Sequence, residues 1–253
     1  MSIPAEDVQA TVTYRIRSYE CEENGNASLQ NICNFVQDTA WVGARKVKVD
    51  MQNPEDGDKS WVLLALKVEM YEYPKWRDEI HITTWPAALR KLYCHRDFII
   101  RNDESKVIGR ATSQWVLFDL GKRRPLRPPV TLKDLIPDIE RGLDYNFTDK
   151  FPEFTQSDAD NFFRVRQSDV DVNKHVNNVN YIEWAAEIGK EVKPAHSIHG
   201  IEVRFLSEST YGDTVTTELQ HLSDTQTLHR VLRQSDGKVL STAVFNWSPQ
   251  PSV

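Results

Sequence analysis

The chain has 253 residues, 40% of them apolar and 27% charged, with a formal net charge of -6. At about 150 residues per domain, that length suits one large domain or two small ones, and the apolar share can build a buried core. The negative charge argues against general nucleic-acid binding, which needs a basic face. The longest apolar runs, such as Trp61–Leu66, fall far short of the roughly 20 residues of a membrane span.

The first residues, MSIPAEDVQATVTYRIR, have no basic segment followed by an apolar one, and they are not the Ser- and Arg-rich start of an organelle leader. The expectation is a bacterial cytoplasm, or a plastid stroma only if a transit peptide has been removed. Cys21, Cys33 and Cys94 are odd in number and lack metal-ligand spacing, so reduced thiols are expected. Neither metal nor cofactor is expected.

In chain order, Leu29, Ile32, Val36 and Ala40 recur at helical spacing behind Ser28, which predicts a helix with a serine N-cap. A run of strands follows. "HRDFIIRNDESKVIGRATSQWVLFD" (His95–Asp119) reads as strand, polar turn, strand. The stretch from Arg123 to Phe154 carries five prolines between Pro125 and Pro152, which predicts an extended, partly irregular link. Further on, Val179, Ile182, Ala186 and Ile188 predict a second helix, with Gly189 as its C-cap. "HRVLRQSDGKVLSTAVFNW" (His229–Trp247) again reads as strand, polar turn, strand.

These halves repeat. "KVEMYEYPKWRDEIHI" (Lys67–Ile82) aligns without a gap on "EVRFLSESTYGDTVTT" (Glu202–Thr217), pairing Val68 with Val203, Trp76 with Tyr211, Asp78 with Asp213 and Ile80 with Val215. Repetition of blocks in one order marks duplicated units. Each half is a strand, one long helix and then antiparallel strands, an α+β arrangement in which a curved sheet wraps its helix: the hot-dog fold, used in tandem. The expected divisions are residues 1–124, a link over 125–155, and residues 156–253. The two copies are expected to share one extended antiparallel sheet.

One stretch is chemically distinct. "DVNKHVNNVNYIEW" (Asp171–Trp184) places Asp, Asn and His at alternate positions just before the second helix. In an extended loop the three side chains would face one way. A helix start offers unpaired N–H groups at the positive end of its dipole, suited to a developing oxyanion. Asn177 and Asn178 would add donors and fix the loop.

That stretch, with "VRFLSESTYGDTV", "YRIRSYECEENGNASLQNICNFVQDTAW" and "TSQWVLFDLGKRRPLR", resembles the acyl-acyl-carrier-protein thioesterases of plants and bacteria from about Tyr14 to Trp247. The resemblance implies a double hot-dog fold and hydrolysis of fatty acyl thioesters, releasing free fatty acid and ending chain elongation in fatty acid synthesis. It implies catalytic roles for Asp171, Asn173 and His175. An acidic residue followed by Cys stands later in the family; here Glu208–Ser209 stand there, so Glu208 takes the acidic role and a Cys nucleophile is missing. Asp171 would serve as general base on water or as direct nucleophile, Asn173 would donate to the oxyanion or place the water, and Glu208 would orient His175.

The first copy's helix entry, "EENGNASLQNIC", has Asn24 and Asn26 but neither His nor Asp. That half is expected to bind the acyl chain, with Ile32, Phe35, Val36, Trp61 and Leu63 as lining candidates. The expected partner is an acyl carrier protein bearing its phosphopantetheine arm. Such a partner is acidic, and "GKRRPLR" offers Lys122, Arg123, Arg124 and Arg127 for docking. Monomer and homodimer stay open. Two other functions stay open: an acyl-CoA thioesterase, and a binding protein that senses acyl thioesters without hydrolysing them.

Overall fold

A computed structural model describes residues 3–51, 57–147 and 150–249. The chain forms two compact units, one ending at Phe147 and one taking up the rest.

The first unit begins with a short helix α1 (Ala5–Val8) and strand β1 (Ala10–Arg15). Helix α2 (Leu29–Lys46) follows, then β2 (Lys59–Met70), β3 (Glu79–Arg90), β4 (Tyr93–Asn102), β5 (Val107–Asp119) and the short β6 (Arg124–Leu126). The strands pair antiparallel in the order β1-β3-β4-β5-β2, with β6 on the free end of β5. Helix α2 lies on β1 and β3. Its buried face carries Leu29, Ile32, Val36 and Ala40, the residues whose spacing predicts the helix. Ser28 Oγ accepts from the Asn31 N–H (3.2 Å), an N-cap worth about 1 kcal/mol.

The second unit repeats this plan. Strand β7 (Ala159–Arg164) precedes helix α3 (Asn178–Val192), then β8 (His196–Phe205), β9 (Thr214–Ser223), β10 (Gln226–Arg233) and β11 (Val239–Pro249). Its strands run β7-β9-β10-β11-β8, the order of the first unit with each strand replaced by its counterpart. The alternation repeats too. In β3 Ile80, Ile82 and Thr84 are buried and alternate with the more exposed Glu79, His81 and Thr83, and in β9 Val215, Thr217 and Leu219 are buried between more exposed neighbours. That is the period of a strand with one face on its helix. The turns Asp103–Lys106 and Gln234–Lys238 fall where the polar segments predict them. Both units are therefore hot-dog folds.

Two expectations change. Gly189 does not end α3, which continues to Val192 with Lys193 as its C-cap. The glycine is needed inside the helix because the Trp247 ring packs against it: a Cβ there would lie 2.6 Å from that ring. The residues from Pro125 to Phe147, assigned by sequence to a link, pack with the first unit. Buried Asp97 on β4 anchors them. It accepts from Arg141 Nε (2.6 Å) and Nη2 (3.1 Å), from the Gly142 N–H (2.8 Å) and from Thr112 Oγ1 (2.7 Å). Phe147 is buried against the His95 ring. Thr148 and Asp149 lie outside the described residues.

Candidate active site at the mouth of helix α3

The segment from Arg166 to Asn177 is built from the inside outward. Asp169 is buried and takes hydrogen bonds from the Arg166 N–H (2.7 Å) and Arg166 Nη2 (2.8 Å). Its carbonyl accepts from the Asn177 N–H (2.9 Å) and from Asn180 Nδ2 (2.7 Å). Asn180 is a buried amide on the inward side of α3, and it ties the loop to the helix. The sequence reading missed it. Its signal is a polar residue on an apolar helix face, with Asn31 of α2 making the same bond to the Glu20 carbonyl (3.2 Å).

Between these anchors Asp171–His175 is a tight turn and not an extended strand. The Asp171 N–H donates to the His175 carbonyl (2.9 Å), the Lys174 N–H to the Asp171 carbonyl (3.0 Å), and Lys174 has φ 66°. The period-2 expectation for Asp171, Asn173 and His175 therefore does not apply. Asn173 turns towards Asp171 instead: its N–H and Nδ2 lie 2.8 and 3.3 Å from the two carboxylate oxygens. Asn173 is thus engaged with the Asp171 carboxylate through both its backbone and its side chain.

His175 points to the segment after β8. Its Nε2 lies 3.5 Å from Glu208 Oε2, with both side chains partly exposed. The backbone joins the same two segments, since the Val176 N–H donates to the Ser209 carbonyl (2.9 Å). Ser209, at the position where the resemblance places Cys, is fully buried, and its Oγ donates to Asp213 Oδ2 (2.8 Å).

At the helix mouth most donors are already engaged. Asn177 caps α3, its Oδ1 accepting from the Val179 N–H (3.2 Å) and its carbonyl from the Asn180 N–H (2.9 Å). With the Asn177 N–H on Asp169, these bonds leave the Asn178 N–H as the amide at the mouth with no hydrogen bond among the described residues.

The remaining candidates lie in the first unit. Ile32, Phe35, Val36 and Leu63 are buried. Phe35 stacks on Tyr14 with ring centres 4.5 Å apart, and Trp61 Nε1 donates to the Val49 carbonyl (2.6 Å). Lys122, Arg123, Arg124 and Arg127 are all exposed, on and just beyond the hairpin that joins β5 to β6. The three cysteines are free and belong to the first unit. Burial pushes the Cys94 thiol up to about 12 and the Cys33 thiol higher still, so neither offers a thiolate at neutral pH. Among the described residues no group of His, Cys, Asp and Glu could hold a metal ion, and no helix is long and apolar enough to cross a membrane.

Comparison with known proteins bears on the fold and the family. Residues 7–134 match the acyl-ACP thioesterase N-terminal domain, and residues 153–249 match the C-terminal domain. Oleoyl-acyl carrier protein thioesterase 1 of Arabidopsis thaliana, a chloroplastic protein, is 26% identical over 94% of this chain and 75% of its own length. The chloroplastic palmitoyl-acyl carrier protein thioesterase of Gossypium hirsutum is 28% identical, and this chain spans 63% of that relative. In fold, the chain superposes on the crystal structure of an acyl-ACP thioesterase from Bacteroides thetaiotaomicron with a TM-score of 0.87, at 22% identity, over 97% of this chain and all of that one. Two matching domains that together cover most of the sequence, on a duplicated hot-dog frame, make this chain a member of the acyl-ACP thioesterase family of thioester hydrolases.

Proposed function

We propose that this chain hydrolyses fatty acyl thioesters of an acyl carrier protein at the turn before α3. The carrying observation is that the turn bearing Asp171 and His175, at the mouth of α3, is joined to the segment of Glu208 by the His175–Glu208 pair and the Val176–Ser209 backbone bond. In this reading Asp171, held by Asn173, takes a proton from water as the water oxygen adds to the thioester carbonyl, or attacks that carbonyl itself to give a short-lived mixed anhydride. The Asn178 N–H holds the oxyanion at the positive end of the helix. The C–S bond then breaks and the sulfur leaves with a proton supplied through His175; on the direct route this step yields the mixed anhydride, which water then hydrolyses, and on both routes the products are a free fatty acid and the carrier thiol. Glu208 orients His175. No step uses a cysteine.

The carrier's acidic surface meets the exposed cations Lys122, Arg123, Arg124 and Arg127, and the apolar residues Ile32, Phe35, Val36, Trp61 and Leu63 are assigned to the acyl chain. Unpaired thiols suit a reducing bacterial cytoplasm.

The test is fatty acid release from matched acyl-carrier-protein and acyl-CoA thioesters, with Asp171→Ala alongside. Release from carrier substrates that disappears in Asp171→Ala supports the reading. Equal or faster release from CoA thioesters would move the assignment to an acyl-CoA thioesterase. Acyl binding without release would make the protein a sensor.

A further inference from the structure

The segment that carries Glu208 is gripped more firmly than its partly exposed side chain requires. Arg233 Nη1 donates to the Glu208 carbonyl (3.3 Å), and the Ser209 carbonyl takes the Val176 N–H (2.9 Å). Ser209 Oγ donates to Asp213 Oδ2 (2.8 Å), and the same oxygen accepts from the Thr210 N–H (3.0 Å). Arg233 Nη1 lies 3.8 Å from it. The outer edge of the guanidinium is fixed by Asp236, through Nε (3.1 Å) and Nη2 (2.9 Å). Just upstream, the Leu206 and Ser207 N–H groups both donate to the Leu240 carbonyl (2.8 and 3.1 Å).

The first unit shows which of these bonds the fold itself needs. There Pro74 stands at the position of Ser209, its carbonyl accepts from the Ala27 N–H (2.8 Å), and the Lys75 N–H reaches Asp78 Oδ2 (2.8 Å). The backbone tie and the aspartate turn are therefore common to both units. A proline has no hydroxyl to give Asp78, and Asn102, which stands opposite Ile80 as Arg233 stands opposite Val215, has no guanidinium. Among the described residues, the Ser209 hydroxyl and the Arg233 guanidinium therefore have no counterpart in the first unit. That pattern ties them to chemistry and not to folding.

We propose that Ser209, Asp213 and Arg233 are positioning residues that fix Glu208 against His175, and that Ser209 is not a nucleophile. Its proton is directed at a carboxylate, and its oxygen is fully buried. The inference rests on the thioesterase reading above.

The test is a set of double-mutant cycles on fatty acid release from an acyl-carrier-protein thioester. Ser209→Ala and Arg233→Met are each combined with Glu208→Ala, and Arg233→Lys and Ser209→Cys serve as conservative variants. Misplacing a catalytic group by about 1 Å can cost up to about 100-fold. The expected loss in Ser209→Ala and in Arg233→Met is therefore about 10- to 100-fold in kcat with little change in KM. Ser209→Cys should recover part of it, because a thiol still donates weakly. Each loss should shrink to about twofold when Glu208 is already Ala, since residues acting through one group are not additive. Additive losses, or wild-type kcat in Ser209→Ala, would overturn the inference. So would an acyl-enzyme trapped on Ser209. Should Arg233→Met fail to fold, Arg233→Lys still reports on the clamp. No release by the unmodified enzyme from any thioester would instead refute the thioesterase reading, a distinct outcome.

Discussion

Glu22–Ser28 before α2 and Asp171–Asn177 before α3 trace nearly the same path. The Glu22 N–H donates to the Asn26 carbonyl (2.8 Å) as the Asp171 N–H donates to that of His175 (2.9 Å). Gly25 and Lys174 make the same turn bond, to the carbonyls of Glu22 and Asp171. Both have positive φ, 79° and 66°. Ser28 and Asn177 cap their helices, and both donate their N–H to a buried acid's carbonyl, Glu20 or Asp169, at 2.9 Å. Three of the side-chain differences fall on the proposed site: Glu22 against Asp171, Asn26 against His175, and Tyr73 against Glu208. The two units keep the same loop, and the groups proposed for hydrolysis stand on one copy of it. The turn is scaffold, and the site is what hangs from it.

The largest effect expected from breaking this comparison is catalytic. His175→Asn gives the second turn the residue of the first, and it should lose about 10²- to 10⁴-fold in kcat/KM while folding normally. Asp171→Ala should fall in the same range. Glu22→Ala and Asn26→Ala should stay within about twofold of the unmodified enzyme in the same fatty acid release assay.

Next comes the shared loop anchor. Asn31→Ala and Asn180→Ala each remove a side-chain bond to a loop carbonyl and should each cost about 1–3 kcal/mol in urea denaturation. Only Asn180→Ala should also lower kcat, because only that loop carries His175. Equal kcat losses in the two variants would show that the anchor acts through global stability.

A third effect should be common to the two units. His95 on β4 and His229 on β10 are both buried, and burial pushes His229 down to about 3 and His95 to about 4. Both folded values lie below the unfolded value near 6.5. Above that pH the two states hold the same protons, and below it the unfolded chain takes up protons that the folded chain refuses. Stability should therefore fall as pH falls from about 6.5 towards 4, at up to about 1.4 kcal/mol per pH unit for each histidine. His229→Gln should flatten that slope in denaturation curves taken at stepped pH, and an unchanged slope would mean that the ring is not buried neutral.

The smallest effect concerns the turn itself. Lys174 occupies the left-handed conformation that the first unit gives to Gly25. Lys174→Gly should raise stability by up to about 1 kcal/mol, because glycine adopts that conformation without the Cβ clash. A fall in Tm would show that the lysine side chain stabilises the turn.

Sequence by itself determined the duplication, the two helices with their buried faces, the Ser28 cap and the two hairpin turns. Each of these follows from short-range rules: periods of 3.6 and 2, and the preference of particular residues for caps and turns. It also singled out the Asp171–Asn178 segment, because so many polar side chains before an apolar helix face need an explanation. Tertiary structure decided which groups meet. Alternation in the sequence suggested that Asp171, Asn173 and His175 share a side, but local hydrogen bonds closed a turn and sent Asn173 to Asp171. Gly189 reads locally as a helix end, and only the Trp247 ring, from a distant strand, makes it an interior contact. The Pro-rich stretch reads as a link, and only Asp97, 44 residues from Arg141, draws it onto the first unit. Such partners depend on strand register and on the packing of elements far apart in the chain, which no local period encodes.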